Sequence, residues 1–258
     1  MTLAELLQEL RENILHDRSH RVDGADDHLW SDRTLVRYID EAQRRLAREG
    51  LVIWDGVTPE VTQVTLEPEV STYTLHPSII AVLSARLSDS ERVLVRTGHS
   101  GLAGYQPPTH AFFGHPDEIA ARAPGRPIGF TTDQSLIPSG LGPVDSTMLR
   151  LFPSPAQALM DEGVTIQLRV VRLPLRRLTL DHLNAELEAP SEHHIELLDW
   201  AAYLALRIAD IDAGMPQRAV EFRASFEDVV TKARKFRLRR MMAPNQWAFG
   251  RNGYVWER

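Results

Sequence analysis

The sequence predicts an α+β protein with a four-helix bundle formed by its amino- and carboxy-terminal helices, an inserted antiparallel β-rich domain and an extended carboxy-terminal tail. Near both ends of the chain apolar residues recur every three or four positions, and between them they alternate with polar residues. After Arg240 the helical spacing stops. The predicted segments are 1–57 for the amino-terminal helices, 58–182 for the β-rich domain, 183–240 for a carboxy-terminal helical hairpin and 241–258 for the tail.

Two helices are predicted before the β-rich domain. The first runs from Thr2 to Leu15 and opens with a capping box made by Thr2 and Glu5. The second runs from Ser31 to Glu49 and ends at Gly50, because glycine suits the position after a helix. Their apolar rows are Leu3, Leu6, Leu7, Leu10 and Ile14 in the first helix, and Leu35, Ile39, Ala42 and Leu46 in the second. The polar segment 16–29 between them is predicted to be a loop.

The apolar period changes from 3.6 to 2 after residue 57, which indicates strands. Val61, Val64 and Leu66 alternate with polar neighbours in the first strand, 58–66. Gly and Pro are frequent in 98–127, which predicts loops there. Further short strands are predicted at 72–75, 81–87, 92–96, 111–113, 128–132, 147–152 and 164–171.

The carboxy-terminal hairpin is predicted from two long helical patterns between Ser191 and Arg240. Ser191 is the expected N-cap of the first helix, and Gly214 and Pro216 mark the break between the two. So short a connection requires antiparallel packing. The buried face is expected to include Ile195, Leu198, Ala202, Ala205 and Ala209 on the first helix, and Phe222, Phe226, Val229, Ala233 and Phe236 on the second.

The charges are distributed unevenly along the chain. The net charge is −6, yet residues 232–258 contain eight Lys or Arg and one acid, a balance of +7 that leaves −13 on the other residues. A basic segment on an acidic body is typical of a surface that binds an acidic partner, either protein or nucleic acid. The sequence has no cysteine, so thiolate chemistry and cysteine-bound metals are excluded. With no signal peptide and no long apolar run, we expect a soluble cytoplasmic product.

The last residues carry the large aromatics Trp247, Phe249, Tyr254 and Trp256. Chain ends normally lack such residues, so these side chains are expected to be buried by a contact. Two interpretations are open: the tail packs on its own domain, or it docks on another subunit or partner.

No catalytic signature is complete in the sequence. Gly98, His99, Ser100 and Gly101 resemble a nucleophile elbow, but Leu102 replaces the final glycine of G-x-S-x-G. The remaining histidines and carboxylates lack the spacing of a metal site. We therefore predict that the protein is not an enzyme and uses no cofactor or metal.

Two segments on either side of the β-rich domain resemble a known family. The first is WSDRTLVRYIDEAQRRL, Trp30 to Leu46, and the second is HHIELLDWAAYLALRIAD, His193 to Asp210. The β-rich insertion between them ends in LRLFPSP, Leu149 to Pro155. In this order they resemble the head–tail adaptor proteins of short-tailed bacteriophages, also called connector or tail tubular proteins.

The resemblance implies a structural protein of the virion neck that is assembled in the host cytoplasm. The implied partners are the portal protein, tail or nozzle proteins and identical copies in a twelve-subunit ring. Double-stranded DNA would pass through the lumen without specific binding, and no membrane is involved. The implied portal- or subunit-binding residues are Arg237, Arg239, Arg240, Trp247, Phe249, Tyr254 and Trp256.

Three alternatives stay open at this point. One is another ring protein of the phage neck, such as a stopper or tail-completion protein. A second is a nucleic-acid-binding module that uses the basic run from Lys232 to Arg240. The third is a hydrolase that uses His99 and Ser100.

Overall fold

A computed structural model describes residues 1–17, 28–96, 124–133, 148–207 and 215–253, with only the backbone for 133, 215 and 241–253. The chain divides into two compact units, a helical unit of 1–53 with 173–258 and a β unit of 54–172. This mixture of helix and sheet confirms the α+β class. The four-helix bundle and the boundaries of the four predicted segments stay predictions. The predicted strand at 111–113 and the residues His99 and Ser100 lie outside the described residues.

The helical unit begins with helix α1, Leu3–Glu9, which continues as a π-helix over Leu10–Leu15. The predicted capping box is confirmed, since Glu5 N donates to Thr2 Oγ1 at 3.3 Å and Thr2 N donates to Glu5 Oε2 at 2.9 Å. The π-helix ends at His16, which has the left-handed φ of 56°.

An ion cluster around the buried Arg11 joins this π-helix to the start of helix α2, Asp32–Gly50. Arg11 donates to Asp17 Oδ2 at 2.6 Å, to the carbonyl of Trp30 at 2.7 Å and to Asp32 Oδ1 at 2.5 Å. The apolar period of the first helix does not predict this arrangement, because Arg11 occupies a polar position in it.

Two further helices complete the helical unit. Helix α5, Leu197–Leu206, follows a 3₁₀ turn at Ser191–His193, and helix α6 spans Met215–Gly253. The predicted N-cap at Ser191 is wrong, since Ser191 starts the 3₁₀ turn and the residue before α5 is Glu196. The predicted break at Gly214 lies outside the described residues. One hydrophobic core collects buried side chains from α1, α2, α5 and α6, among them Leu6, Leu35, Ile39, Leu198 and Phe226.

The first sheet of the β unit is organised around strand β8, Thr165–Arg172. Strand β4, Ile79–Leu87, pairs with β8 along nearly its whole length. Strands β1, Trp54–Asp55, and β2, Gln63–Thr65, pair with β8 through Trp54↔Val171 and Val64↔Ile166. All three pairings are antiparallel. Because β1 and β8 begin and end the β unit, its first and last strands are neighbours.

The second sheet has the order β3–β7–β6–β5, with β3 at Thr72–Thr74, β5 at Val95–Arg96, β6 at Gly129–Asp133 and β7 at Met148–Phe152. Strands β3 and β6 pair with β7 in antiparallel fashion. Strand β5 pairs with β6 in parallel, so the predicted antiparallel domain contains one parallel pair. Alternation alone does not distinguish the two directions, since both have a side-chain period of two.

The local structure departs from the sequence prediction in three further places. The predicted strand 58–66 starts as a one-turn helix, α3, Pro59–Thr62, because Pro59 fits the first helical position. A short helix, α4, Gln157–Asp161, was not predicted. The extended tail is wrong for 241–253, where α6 continues to Gly253. Pro244 disfavours a helix interior, but extending an existing helix avoids the cost of a new nucleus.

Candidate functional site: the cationic segment of helix α6

The first half of α6 is fixed by packing against α2 and α5. Ala219, Phe226, Val230 and Ala233 are buried. Their spacings of seven, four and three residues place them on one face of the helix. A Cβ built on Gly50 would lie 3.5 Å from the Cβ of Ala233, so α2 approaches α6 closely there. The second half of α6 therefore extends from a firmly packed base.

A cation–aromatic cluster strengthens this base. The guanidinium carbon of Arg45 on α2 lies 3.9 Å from the ring centroid of Trp200 on α5 and 5.9 Å from that of Phe226 on α6. The Trp200 and Phe226 rings are 5.4 Å apart, within the range of aromatic pairs. Arg45 also donates to Glu49 at 2.9 Å, which holds its guanidinium in place. One side chain thus links three helices.

The cationic segment, Lys232–Arg240, is the part of α6 that follows directly on this packed base. It contains six cations and no acid, namely Lys232, Arg234, Lys235, Arg237, Arg239 and Arg240. Five of these side chains are exposed, and Arg237 is half-buried. Spacings of three and four residues place Lys232, Lys235 and Arg239 on one face of the helix, and Arg234, Arg237 and Arg240 on the opposite face. The segment is therefore positive on most of its circumference rather than along a single stripe.

Two of the six cations have acidic partners in the helical unit. Lys232 Nζ lies 2.5 Å from Asp228 Oδ2, and this hydrogen bond raises the pKa of Lys232. Arg237 Nη2 lies 3.5 Å from Glu192 Oε1. Within the described parts of the chain, no carboxylate lies within 4 Å of Arg234, Lys235, Arg239 or Arg240. These four cations remain available to an external acidic group.

An exposed aromatic ring lies in the middle of the cationic segment. Phe236 is 55% exposed, and the guanidinium carbons of Arg237 and Arg240 lie 5.7 and 5.6 Å from its ring centroid. Such cation–π contacts hold long arginine side chains over an apolar surface. This combination offers both apolar surface and charge-assisted hydrogen bonds. Arg and aromatic residues are enriched at protein interfaces for this reason.

The structure brings three of the seven predicted site residues together. Arg237, Arg239 and Arg240 lie in the cationic segment of α6. Trp247 and Phe249 lie further along the same helix, and the structure describes only their backbone. Tyr254 and Trp256 lie outside the described residues. A binding role for all seven stays a proposal.

Phe236 is the site residue that the sequence pattern assigns wrongly. Its spacing from Phe226 and Ala233 predicts a buried side chain, as the spacing of Ile195 does on the partner helix. Both are exposed, Ile195 by 61% and Phe236 by 55%. The apolar period of α6 continues past the stretch that α5 covers, because α5 begins only at Leu197. The signal that identifies Phe236 is its position among six cations, because a buried helix face does not carry such a run.

The described residues contain neither a metal-binding cluster nor a membrane-spanning helix. Among them, no group of three or more His, Asp or Glu side chains could bind a metal ion. In the same part of the chain, none of the helices combines the length and apolarity that a bilayer span requires.

These features define an α+β protein with a helical unit, an inserted β unit and a long cationic helix. The model of the SU10 adaptor protein family matches residues 1–248. The chain therefore belongs to the SU10 adaptor protein family, a family of structural phage adaptors rather than a class of enzymes. No curated protein matches the chain.

Proposed function

We propose that the chain is the head-to-tail adaptor of a bacteriophage virion, located at the neck. It forms a ring below the portal, extends the DNA channel and provides the attachment site for the tail. The observation that carries this proposal is the family match over residues 1–248. The inserted β unit and the exposed cationic segment support it, since an adaptor needs separate surfaces for different partners.

The cationic segment is the proposed contact with the portal or with a neighbouring subunit. Four of its cations have no carboxylate partner within the described chain, so an acidic surface is the complementary partner. The segment is already helical, so binding does not have to order it, and this lowers the entropic cost of association. The residues beyond Arg240, with Trp247, Phe249, Tyr254 and Trp256, extend the proposed contact.

The ring is proposed to contain twelve subunits and to assemble on the portal. A first bound subunit raises the effective concentration for the next, so a template favours a ring that free monomers do not form. Without residues 232–258 the chain carries −13, so its surface repels DNA. A conduit of this kind passes double-stranded DNA without retaining it.

The proposal is tested with a triple charge reversal in the cationic segment, Arg234→Glu, Lys235→Glu and Arg239→Glu. All three side chains are exposed, so the variant is expected to fold. The matched control reverses Arg33, Arg48 and Arg176, which are also exposed cations of the helical unit and give the same change in net charge.

Capture on immobilised portal from the same phage should fall at least tenfold for the cationic-segment variant and stay within twofold for the control. Electron microscopy of wild type with portal should show a ring attached directly to it. Attachment only through another neck protein would instead identify a stopper or tail-completion protein. Equal capture of both variants would contradict the role of the cationic segment.

A second candidate function is nucleic-acid binding, which the six cations around an exposed Phe236 favour. A gel-shift titration of duplex DNA at several salt concentrations separates the two functions. The adaptor should bind DNA weakly and lose it as salt rises. Tight binding at physiological salt, abolished by the triple reversal and accompanied by no portal capture, would favour the nucleic-acid-binding module.

A further inference from the structure

The β unit contains an open groove whose long walls are the outer strands of its two sheets. Strand β2 forms one wall and strand β3 the other, and the groove has a volume of about 460 Å³. Glu60, Glu67 and His76 also line it. Its lining residues all belong to the β unit and are all described. The groove is thus a feature of one compact unit.

Both walls have an unpaired edge. Strand β2 pairs with β8 through Gln63↔Gln167 and Thr65↔Thr165, and β3 pairs only with β7. On the other side of each strand, no backbone partner is present among the described residues. The N–H and C=O groups on those sides can therefore pair with an added strand.

The residues of these edges favour strand addition. Val64, Thr65, Thr72 and Thr74 are β-branched, which suits a pleated surface. Neither strand carries the lysine or proline that natural proteins often place on an edge to prevent pairing. Each strand is only three residues long, so the occupant gains few hydrogen bonds from each wall and needs a second source of affinity.

Charge supplies that second source. Glu60 and Glu67 are exposed carboxylates of the lining, and no Lys or Arg lines the groove. His76 Nδ1 accepts a hydrogen bond from the backbone N–H of Ser78 at 3.2 Å and lies 2.7 Å from Ser78 Oγ. The groove is therefore acidic, and a basic segment is complementary to it.

The turn that carries Glu67 is held in shape by Tyr73, which is buried. Its hydroxyl donates to the carbonyl of Val70 at 2.8 Å and accepts from the backbone N–H of Glu67 at 3.1 Å. Burial raises the pKa of Tyr73, so the hydroxyl stays protonated and keeps donating. The turn that carries Glu67 is therefore ordered before any partner binds.

We propose that this groove binds an extended segment of another protein, which bears at least two Lys or Arg residues, by strand addition to the edges of β2 and β3. The partner is a different protein because the cationic segment of this chain is helical, so its backbone groups are already paired. Together with the proposed function, the groove is the attachment site of a tail-side protein. Its acidic character and the cationic character of α6 then select two different partners.

The first experiment probes the full chain with an acetylated and amidated hexapeptide of alternating Lys and Val. The same peptide with Glu in place of Lys is the control. Hydrogen exchange of the backbone amides at β2 and β3 should slow at least tenfold with the Lys peptide and stay unchanged with the Glu peptide. Protection by both peptides, by neither, or only at sites outside the groove would overturn the proposal.

The second experiment reverses the groove charge with Glu60→Lys and Glu67→Lys. The matched control is Asp161→Lys with Glu162→Lys, two exposed carboxylates elsewhere in the β unit that give the same change in net charge. Affinity for the Lys peptide should fall at least tenfold in the groove variant and less than twofold in the control. Equal losses would show nonspecific attraction and reject the groove.

Two further readouts separate this proposal from its alternatives. Protection of β2 and β3 that rises with protein concentration without peptide would identify a second copy as the occupant and overturn the proposal. Capture on portal is measured for the groove variant as well and should match wild type. Failure of wild type to bind portal contradicts the proposed adaptor function, whereas the peptide result tests the groove independently.

Discussion

The ion pair between Asp55 and Arg172 gives the sharpest test of the β unit, because it joins the first and last strands of that unit. Arg172 Nε donates to Asp55 Oδ2 at 2.6 Å, and the two side chains are 10% and 6% exposed. The other carboxylate oxygen, Oδ1, accepts the backbone N–H groups of Val57 at 2.9 Å and Thr58 at 3.0 Å. One carboxylate therefore fixes both the ion pair and the turn before α3.

Asp55→Asn isolates the charge, since the amide oxygen of Asn can still accept the two backbone N–H groups. The variant removes the carboxylate charge that faces Arg172 Nε, and the loss of one partner from a buried ion pair costs about 3–5 kcal/mol. With a urea m-value of roughly 1–3 kcal/mol/M, the unfolding midpoint should fall by at least about 1 M. The matched control is Asp89→Asn, because Asp89 pairs with Arg126 at 2.7 Å on the exposed surface of the same unit. An exposed pair contributes less than about 1 kcal/mol.

The natural assay is urea unfolding followed by tryptophan fluorescence. Trp54 is the single tryptophan of the β unit and lies next to Asp55 in the chain. The α-helical signal in far-ultraviolet circular dichroism is measured in parallel and follows the unfolding of the helical unit. The reasoning is refuted if Asp55→Asn shifts the midpoint no more than Asp89→Asn does. It is also refuted if the losses of Asp55→Asn and Arg172→Met add fully in the double variant, because a shared pair requires coupling.

The same pair predicts an acid-sensitive β unit. Burial by itself raises the pKa of Asp55, but the N–H groups of Thr58 and Val57 and the Arg172 guanidinium outweigh it, so its pKa lies well below the ordinary value. The folded pKa is below the unfolded one, so the stabilisation is complete above roughly pH 4 and is lost as pH falls further. Asp55→Asn should remove this part of the acid sensitivity, measured as the urea midpoint between about pH 5 and 2.

Three smaller predictions concern single side chains, with thermal unfolding of the full chain as the measurement. Arg45→Met removes the guanidinium stacked on Trp200 at 3.9 Å and should cost about 1–2 kcal/mol, whereas a cost near zero would show that the stacking contributes nothing. Burial raises the pKa of Asp199 despite the hydrogen bond that Ser225 donates to it, so the ionised carboxylate destabilises the fold above that raised pKa. Asp199→Asn should therefore leave the thermal midpoint at pH 7 unchanged or higher. A clear fall in the midpoint would contradict this. Glu69 is exposed with a φ of 62°, so Glu69→Gly should stabilise by up to about 1 kcal/mol, and destabilisation would show that its side chain makes a needed contact.

The helix ends near the amino terminus could be predicted because their signals are local. Thr2 and Glu5 form the expected capping box. Helix α2 ends within one residue of the predicted end, but Gly50 is its last helical residue, and Leu51 takes the left-handed φ of 56° that was expected of the glycine. Asp40 could not be predicted in the same way. Helical spacing assigns it to the charged outer face, yet it is buried and Oδ1 accepts the backbone N–H of Leu178 at 3.0 Å. That contact joins residues 138 apart in sequence, so no local pattern contains it.

The candidate site also has one part that could be predicted from local sequence and one part that could not. Its charge could be predicted, since six cations without an acid are visible in the sequence. Its apolar part could not, because the period that places Phe226 in the core also selects Phe236 and Ile195. The period describes one helix alone, whereas burial depends on how far the partner helix reaches. A partner that begins at Leu197 leaves Phe236 uncovered.

The continuous helix changes how binding at the cationic segment is best understood. An extended tail would have to order each residue on binding, at roughly 1–2 kcal/mol per residue, which offsets most of the burial of its aromatic side chains. Residues 234–253 are instead helical and continue from a base fixed by Phe226, Val230 and Ala233. That base meets the cost of helix nucleation and holds the direction of the segment. Affinity for an acidic partner should therefore depend more on charge than on coupled folding, so raising salt should weaken it steeply while its heat-capacity change stays small.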